Sequence, residues 1–331
     1  MARRPEWTKL PLTEMLAQYG LGLYDWDTAS SCLKVETNQG PFRLKRFAYP
    51  AVEFPFIYSL VEYLAERGFR HSEKIRLTKE GQPGLVVAGQ FFYLATWQKG
   101  MTEFELDRNT LVQVGSLLGS LHRSSKGFSA INPVHPARIQ WGIWPRKLTD
   151  RYHDLVQFAG LAGEGITAFD RLFKCQATAF LKTANGVLEE LERLSFYREI
   201  VKLDEQARYV CHRDCIPGNI VKGPEGDLVL IDFDNAAYAE KIDDIAKLLR
   251  YFSGWEIDRA RELIIGYQEW FPIRREEIKL LRIFLEFPME YWQLGRFAYQ
   301  RGRARYSALK KWVAASGAKA RFLIDLERVI S

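Results

Sequence analysis

The spacing of apolar residues changes several times along the 331-residue chain, and each change marks a different kind of element. The first 20 residues, rich in leucine and ending at Tyr19-Gly20, suit a short amphipathic helix closed by glycine. From there the period shortens. Residues 21–26, 31–37 and 42–47 alternate or cluster β-forming side chains, with Asn38-Gln39-Gly40-Pro41 as a turn. Residues 53–68 return to helical spacing through Leu60, Val61 and Leu64 and stop at Gly68. Two further strands are expected within residues 75–99, split by Glu80-Gly81-Gln82-Pro83.

Beyond residue 100 helical patterns dominate. Leu111, Val114, Leu117, Leu118 and Leu121 form one stripe, and residues 141–203 read as mostly helical. The exception is a pair of short apolar runs, Ile220-Val221 and residues 228–231, on either side of a Gly-Pro-Glu-Gly-Asp turn. Another helix opens at Lys241, with Asp243 as its expected N-cap.

At 47% hydrophobic residues the chain has ample core for one large domain or two lobes. No apolar run approaches the roughly 20 residues of a membrane span, and Met1-Ala-Arg-Arg-Pro-Glu leads into no signal-peptide core. A cytoplasmic location without membrane contact is the expectation. Four cysteines do not make a disulfide framework in a chain this long, which agrees with a reducing compartment.

The net charge of +6 is uneven: from Arg296 onward nine basic residues face only Asp325 and Glu327, leaving the rest close to neutral. Within that tail, residues 297–306 interleave basic and aromatic side chains, a pattern able to bind nucleic-acid backbones. A solvated helix face with buried aromatics accounts for it better, so nucleic acid is not an expected partner.

The chemistry concentrates in Cys211-His212-Arg213-Asp214-Cys215-Ile216-Pro217-Gly218-Asn219 and in Ile231-Asp232-Phe233-Asp234. Moving a phosphoryl group requires a carboxylate beside the attacking hydroxyl and hard oxygen ligands for Mg²⁺. Asp214 suits the first role, Asn219 and Asp232 the second, and a hairpin between them can bring both ligands to one ion. Cys211, His212 and Cys215 also invite a metal or thiol reading, but no fourth ligand stands nearby.

The His-x-Asp-x-x-x-x-Asn loop followed by Asp-Phe resembles the catalytic loop and metal segment of the protein-kinase-like superfamily. Asp234 stands where protein kinases carry a glycine, and no Ala-Pro-Glu segment follows. Both departures point to the aminoglycoside-phosphotransferase and choline-kinase branch, and the overall pattern resembles its spore-coat-associated CotS-like kinases.

The resemblance implies an α+β, two-lobed fold: a small antiparallel-sheet nucleotide lobe with one main helix (residues 1–99, ending in a hinge) and a larger, mostly helical lobe (100–331). It implies ATP and Mg²⁺ as cofactors and the hydroxyl of a small molecule as acceptor. Spore-coat proteins enter as further partners and the spore coat as a further location.

Residue by residue, the resemblance gives Lys45 the nucleotide's α- and β-phosphates and Glu53, rather than Glu62, the partnership with that lysine. The hinge backbone from Thr96 to Gln98 receives adenine. Asp244 supports the catalytic loop from below. The turn over the phosphates would be Asp27-Thr28-Ala29-Ser30-Ser31, which lacks glycine. His122 is expected to be structural, Trp141 and Trp144 are pocket candidates weighed against core packing, and Glu286 and Glu290 would suit a cationic acceptor. The competing reading is a kinase-like scaffold without catalysis.

Overall fold

Residues 23–96 supply all the strands of one six-stranded antiparallel sheet. The computed structural model describes residues 9–130 and 134–329, so the first eight residues of the expected N-terminal helix and the last two of the basic tail fall outside it. The elements begin with α1 (Leu12–Gln18), β1 (Leu23–Ala29), β2 (Cys32–Thr37), β3 (Gly40–Arg46) and α2 (Phe54–Glu66), followed by β4 (Ile75–Arg76), β5 (Leu85–Val87) and β6 (Gln90–Thr96). The order across the sheet is β1-β2-β3-β6-β4, with β5 also paired to β6. Where two strands were expected in residues 75–99, three form. Ala88 and Gly89, both at positive φ, close a tight hairpin that no Gly-rich spacing announces.

Alternation along β3 decides what the sheet does. Phe42 and Leu44 point to the outer face, into a small core with Leu12, Leu16, Leu33, Val35, Phe92 and Leu94. Arg43 and Lys45 therefore point to the inner face, and both are buried there. Tyr93 lies directly across from Lys45 in the pairing of β3 with β6, on the same face.

The rest of the chain is α3 (Arg108–Ser125), α4 (Trp144–Leu161), α5 (Ala168–Arg193), α6 (Ser195–Ala207), β7 (Val210–Cys211), β8 (Ile220–Lys222), β9 (Leu228–Leu230), β10 (Ala237–Tyr238), α7 (Lys241–Phe252), α8 (Ile257–Gln268), α9 (Arg275–Glu286), α10 (Met289–Gly295) and α11 (Tyr306–Val329). The expected strand-turn-strand is β8 and β9. The start of α7 differs from expectation: Glu240 is its N-cap residue, and Asp204 of α6 accepts from the Lys241 N–H at 2.9 Å, while Asp243 sits inside the first turn.

Two backbone crossings tie the sheet to the helical part. Leu230 N–H donates to the His71 carbonyl (2.8 Å), and Met101 exchanges hydrogen bonds with Lys222 (3.1 and 2.9 Å). Gly100 makes the second possible, because it sits at φ +143° and a Cβ there would lie 2.2 Å from the Lys222 carbonyl oxygen. No helix among the described residues is long and apolar enough to cross a membrane.

Helices α3 and α8 approach closely through facing glycines. A Cβ on Gly115 would meet the Leu263 carbonyl oxygen at 1.9 Å, and one on Gly266 the Val112 carbonyl oxygen at 1.9 Å. Backbone cannot move aside as a side chain can. Gly115→Ala is expected to destabilise the protein by about 1–3 kcal/mol, the usual cost of overpacking, read as a lower urea midpoint at unchanged slope. An unchanged midpoint would show that the two helices can separate freely.

Candidate active site

The loop after β7 is held from beneath by one buried carboxylate. Asp244, near the start of α7, accepts from the backbone N–H groups of His212 and Arg213, each at 2.7 Å. Arg213 is at φ +63°, and Lys247 donates to its carbonyl at 2.6 Å. His122 fills the space between Asp244 (3.3 Å) and the Tyr267 hydroxyl (3.0 Å) with no exposed surface. It is therefore a packed structural histidine. Although burial works against its charged form, hydrogen bonding to His122 leads the contributions that keep Asp244 below the ordinary carboxylate range.

On this support, the side chains of Asp214 and Asn219 meet. Asn219 Nδ2 donates to the Asp214 carbonyl at 2.9 Å and to its Oδ2 at 3.0 Å. Asn235 Nδ2 adds a longer contact to the same oxygen, 3.4 Å. Among the described residues Asp214 Oδ1 accepts no hydrogen bond, so one carboxylate oxygen is available to an incoming hydroxyl. Using its nitrogen on Asp214 leaves the Asn219 side-chain oxygen as its free ligand atom.

Asn219 and the metal segment are adjacent, because Ile231 N–H donates to the Asn219 carbonyl at 2.9 Å. Asp232 follows at φ +70°, a left-handed conformation that Asp tolerates better than most residues. Its N–H donates to Glu73 Oε1 (2.9 Å), and Glu73 is ion-paired with Arg43 at 2.5 Å. The Lys45 ammonium reaches both Asp232 and Asp234, the latter at 2.8 Å, and Asp234 accepts from the Tyr93 hydroxyl at 2.8 Å. Thus β3 is joined to the metal segment by buried charge.

These five charges, Arg43, Lys45, Glu73, Asp232 and Asp234, sum to −1. Burial opposes the Lys45 charge, yet Asp234 and Asp232 raise its pKa above the usual value. Burial likewise opposes the Asp232 charge, but Lys45 and Arg43 hold that carboxyl below its usual range. Burial pushes Asp234 up, with Lys45 offsetting only part of the effect. A surplus carboxylate beside a free amide oxygen is a donor set of hard oxygens, which fits Mg²⁺.

Glu53 is not the partner of Lys45. It is buried and ion-paired with Arg138 at 2.8 Å. Arg138 in turn donates to the carbonyls of Asp234 (2.7 Å) and Ala236 (2.9 Å). Lys45 already lies between two carboxylates, so the glutamate at the start of α2 stiffens the metal segment through an arginine instead. Glu62 is exposed.

At the hinge, the Thr96 N–H is committed to the Lys74 carbonyl (2.9 Å), and its hydroxyl oxygen accepts from Lys74 N–H (3.0 Å) and Gln98 Nε2 (2.9 Å). Among the described residues the backbone of Trp97 and Gln98 makes no hydrogen bond. The turn that was expected to cover the phosphates is shorter than the sequence suggested: Asp27 and Thr28 belong to β1, and only Ser30-Ser31 link Ala29 to its partner Cys32.

Other candidates resolve into packing. Trp144 stacks on Phe284 (4.2 Å between centroids) and Trp141 on Tyr238 (4.7 Å), so neither stands free in a pocket. Cys211 and Cys215 are buried, and burial raises both thiols well above their ordinary pKa, which makes them poor targets for oxidation. Cys211 lies with His122 and Asp244 in a buried group, but Asp244 there is already bound by two backbone N–H groups. A cavity of about 730 Å³ lined by Arg67, His71, Arg123 and Trp270 includes neither Asp214 nor Lys45.

Sequence reasoning missed Glu73, Arg43 and Asn235. Arg43 was recoverable, since it shares the β3 face of Lys45; Glu73 lies in a polar loop whose pattern gives no sign of its burial.

An antiparallel sheet with one inner helix, set over a helical body with a charged cleft between them, is the architecture of protein-kinase-like enzymes. The chain belongs to the phosphotransferase enzyme family, whose pattern matches residues 26–279. It is similar to spore coat protein S of Bacillus subtilis (strain 168), 23% identical over 88% of this chain and 86% of that one. In structure it resembles an aminoglycoside phosphotransferase from Alicyclobacillus acidocaldarius, with a TM-score of 0.82 at 20% identity over 97% and 96% of the two chains. It also resembles a spectinomycin phosphotransferase solved with ADP and spectinomycin, with a TM-score of 0.64 at 14% identity over 96% and 97%.

Proposed function

We propose that this protein is an ATP- and Mg²⁺-dependent phosphotransferase acting on a hydroxyl group of a small molecule. The observation that carries the proposal is the convergence of Lys45, Asp214, Asn219 and Asp232 from a strand, a loop and a hairpin end onto one cleft, with an oxygen of Asp214 left free. Packing alone asks for no such set. Residues 1–99 serve as the nucleotide lobe, with the backbone of Trp97 and Gln98 toward adenine and Lys45 toward the phosphates; residues 100–331 carry the catalytic loop and the acceptor.

In the reaction, the acceptor oxygen bonds to the γ-phosphorus as the bond to the β-bridging oxygen breaks and ADP leaves. Asp214 orients the hydroxyl and takes its proton on the free oxygen. Asn219, through its side-chain oxygen, and Asp232 would hold Mg²⁺, which neutralises phosphate charge when bound. Lys45 exchanges its carboxylate contacts for phosphate oxygens, and Tyr93 keeps Asp234 in place when it does.

A second reading, a kinase-like structural part of the spore coat, draws on the likeness to spore coat protein S and on the glycine-free Ser30-Ser31 turn. Spore-coat location remains part of the proposal under either reading. ADP release followed against a panel of hydroxylated small molecules separates the two. The enzyme reading expects Mg²⁺-dependent, acceptor-dependent release. No release above the protein-free background with any compound would favour the scaffold.

A further inference from the structure

Beside the catalytic loop lies a concentration of positive charge that the transfer chemistry described above leaves unused. Lys147 and Arg151 are one turn apart on α4 and so share a face. The Lys147 ammonium lies 4.8 Å over the Trp144 ring, and Arg151 lies 4.5 Å over Trp292. Arg296 covers the same indole at 5.3 Å. All three are half-buried, and among the described residues none is ion-paired with a carboxylate.

Their neighbours are also cations. Arg213, which precedes Asp214, meets Asp243 at 3.2 Å, and Lys247 meets the same carboxylate at 3.6 Å. Arg250 is paired with Glu290 at 3.1 Å, and Lys319 reaches that glutamate at 3.1 Å. Asp154 accepts from Trp292 Nε1 (2.8 Å) and Gln300 (3.3 Å). Lys147, Arg151, Arg213, Lys247, Arg250 and Arg296 thus face Asp243, Glu290 and Asp154, an excess of +3 before Lys319 is counted.

The electrostatics agree with the geometry. Burial foremost, opposed by Asp243 and reinforced by Arg151, Lys247 and Arg213, pushes the Lys147 ammonium down to about 7. Burial, with Arg250, Arg296 and Arg213 adding to it and Asp243 opposing, lowers Arg151 to about 10. Half-buried like charges without counter-ions are costly, and stacking on tryptophan offsets only part of that cost. An acceptor with a cationic group would add to the repulsion. Glu286 and Glu290, the acids that would have suited one, are taken by Arg282 and by Arg250 and Lys319.

We propose that the acceptor is an anion, a small hydroxylated molecule carrying a carboxylate, phosphate or sulfate group, whose charge is received by Lys147, Arg151 and Arg296 while its hydroxyl faces Asp214. The inference rests on reading the Asp214 loop as the transfer centre. The three cations bind and orient the acceptor; they take no part in the proton transfer.

Thermal melts test it with glycerol 3-phosphate as the anionic probe, glycerol as the neutral one and 3-amino-1,2-propanediol as the cationic one. Each is added with and without saturating AMP-PNP and Mg²⁺, at constant ionic strength. Glycerol 3-phosphate is expected to stabilise the wild-type protein where the other two do not. Lys147→Met/Arg151→Met, which removes half-buried charge and should fold at least as well, is expected to weaken that probe by about tenfold or more, as is the more peripheral Arg296→Gln. Equal response to all three probes, or an undiminished anion response in both variants, overturns the proposal. The AMP-PNP shift measured in the same melts reports separately on the kinase reading, so the two can fail independently.

Discussion

Asp214→Asn lowers turnover by about 10²–10⁴-fold, the usual worth of a positioned general base, and leaves ATP affinity unchanged. The expectation follows from how Asp214 is held. Its Oδ2 is fixed by Asn219 at 3.0 Å and more loosely by Asn235 at 3.4 Å, and these contacts keep the other oxygen facing outward. An asparagine of the same shape preserves the loop but offers an amide where a proton acceptor is needed. The proposed nucleotide contacts lie elsewhere, on β3, at the hinge and in the metal segment, so binding and turnover should separate. Single-turnover transfer measured beside equilibrium ATP binding checks this. A variant as fast as the wild type would show that Asp214 is not the base, and a variant that loses ATP binding would show that it is a ligand instead.

The largest effect on stability is expected at Asp244. Its carboxylate satisfies the N–H groups of His212 and Arg213 at 2.7 Å each, with His122 at 3.3 Å, in a place with no exposed surface. Asp244→Ala leaves two buried donors and a histidine nitrogen without a partner and is expected to cost about 3–5 kcal/mol, as when one member of a buried pair is removed. Asp244→Asn, which keeps one acceptor oxygen, should cost less. Urea denaturation measures both. A loss below about 1 kcal/mol for Asp244→Ala would mean that water replaces the carboxylate and that the loop is not held from beneath.

Much of this organisation was legible in the sequence, for identifiable physical reasons. The switch from period-two to helical spacing near residue 100 separates sheet from helices, because each element hides its apolar side chains in its own geometry. Asp214 and Asn219 were legible as a pair because a short loop fixes their separation, and Asp232 because β8 and β9 carry the chain back to them. Asp244 was accessible by resemblance. Contacts made across long sequence separations were not legible. Glu73 lies 30 residues from Arg43 and reaches the Asp232 N–H only once β9 has paired with the 71–72 backbone.

The assignment of Glu53 to Lys45 failed for a related reason. Periodicity places Glu53 at the head of α2, but which cation it meets depends on Arg138, 85 positions later, and on two carboxylates that already surround Lys45. The basic cluster on α4 was invisible too, since Lys147 and Arg151 read as an ordinary solvated helix face until Trp144 and Trp292 are seen beneath them.

The central claim, a working nucleotide site built on Lys45, Asn219 and Asp232, is tested most directly by melting the purified protein with and without ATP and Mg²⁺ beside Asp232→Asn. Asparagine tolerates the φ of +70° at this position, so the variant removes charge without adding strain. Nucleotide at a hundred times its dissociation constant should stabilise the wild type by about 2.7 kcal/mol. The account expects a shift that requires Mg²⁺ and is lost in Asp232→Asn. No shift at millimolar ATP, or an equal shift in the variant, would contradict it.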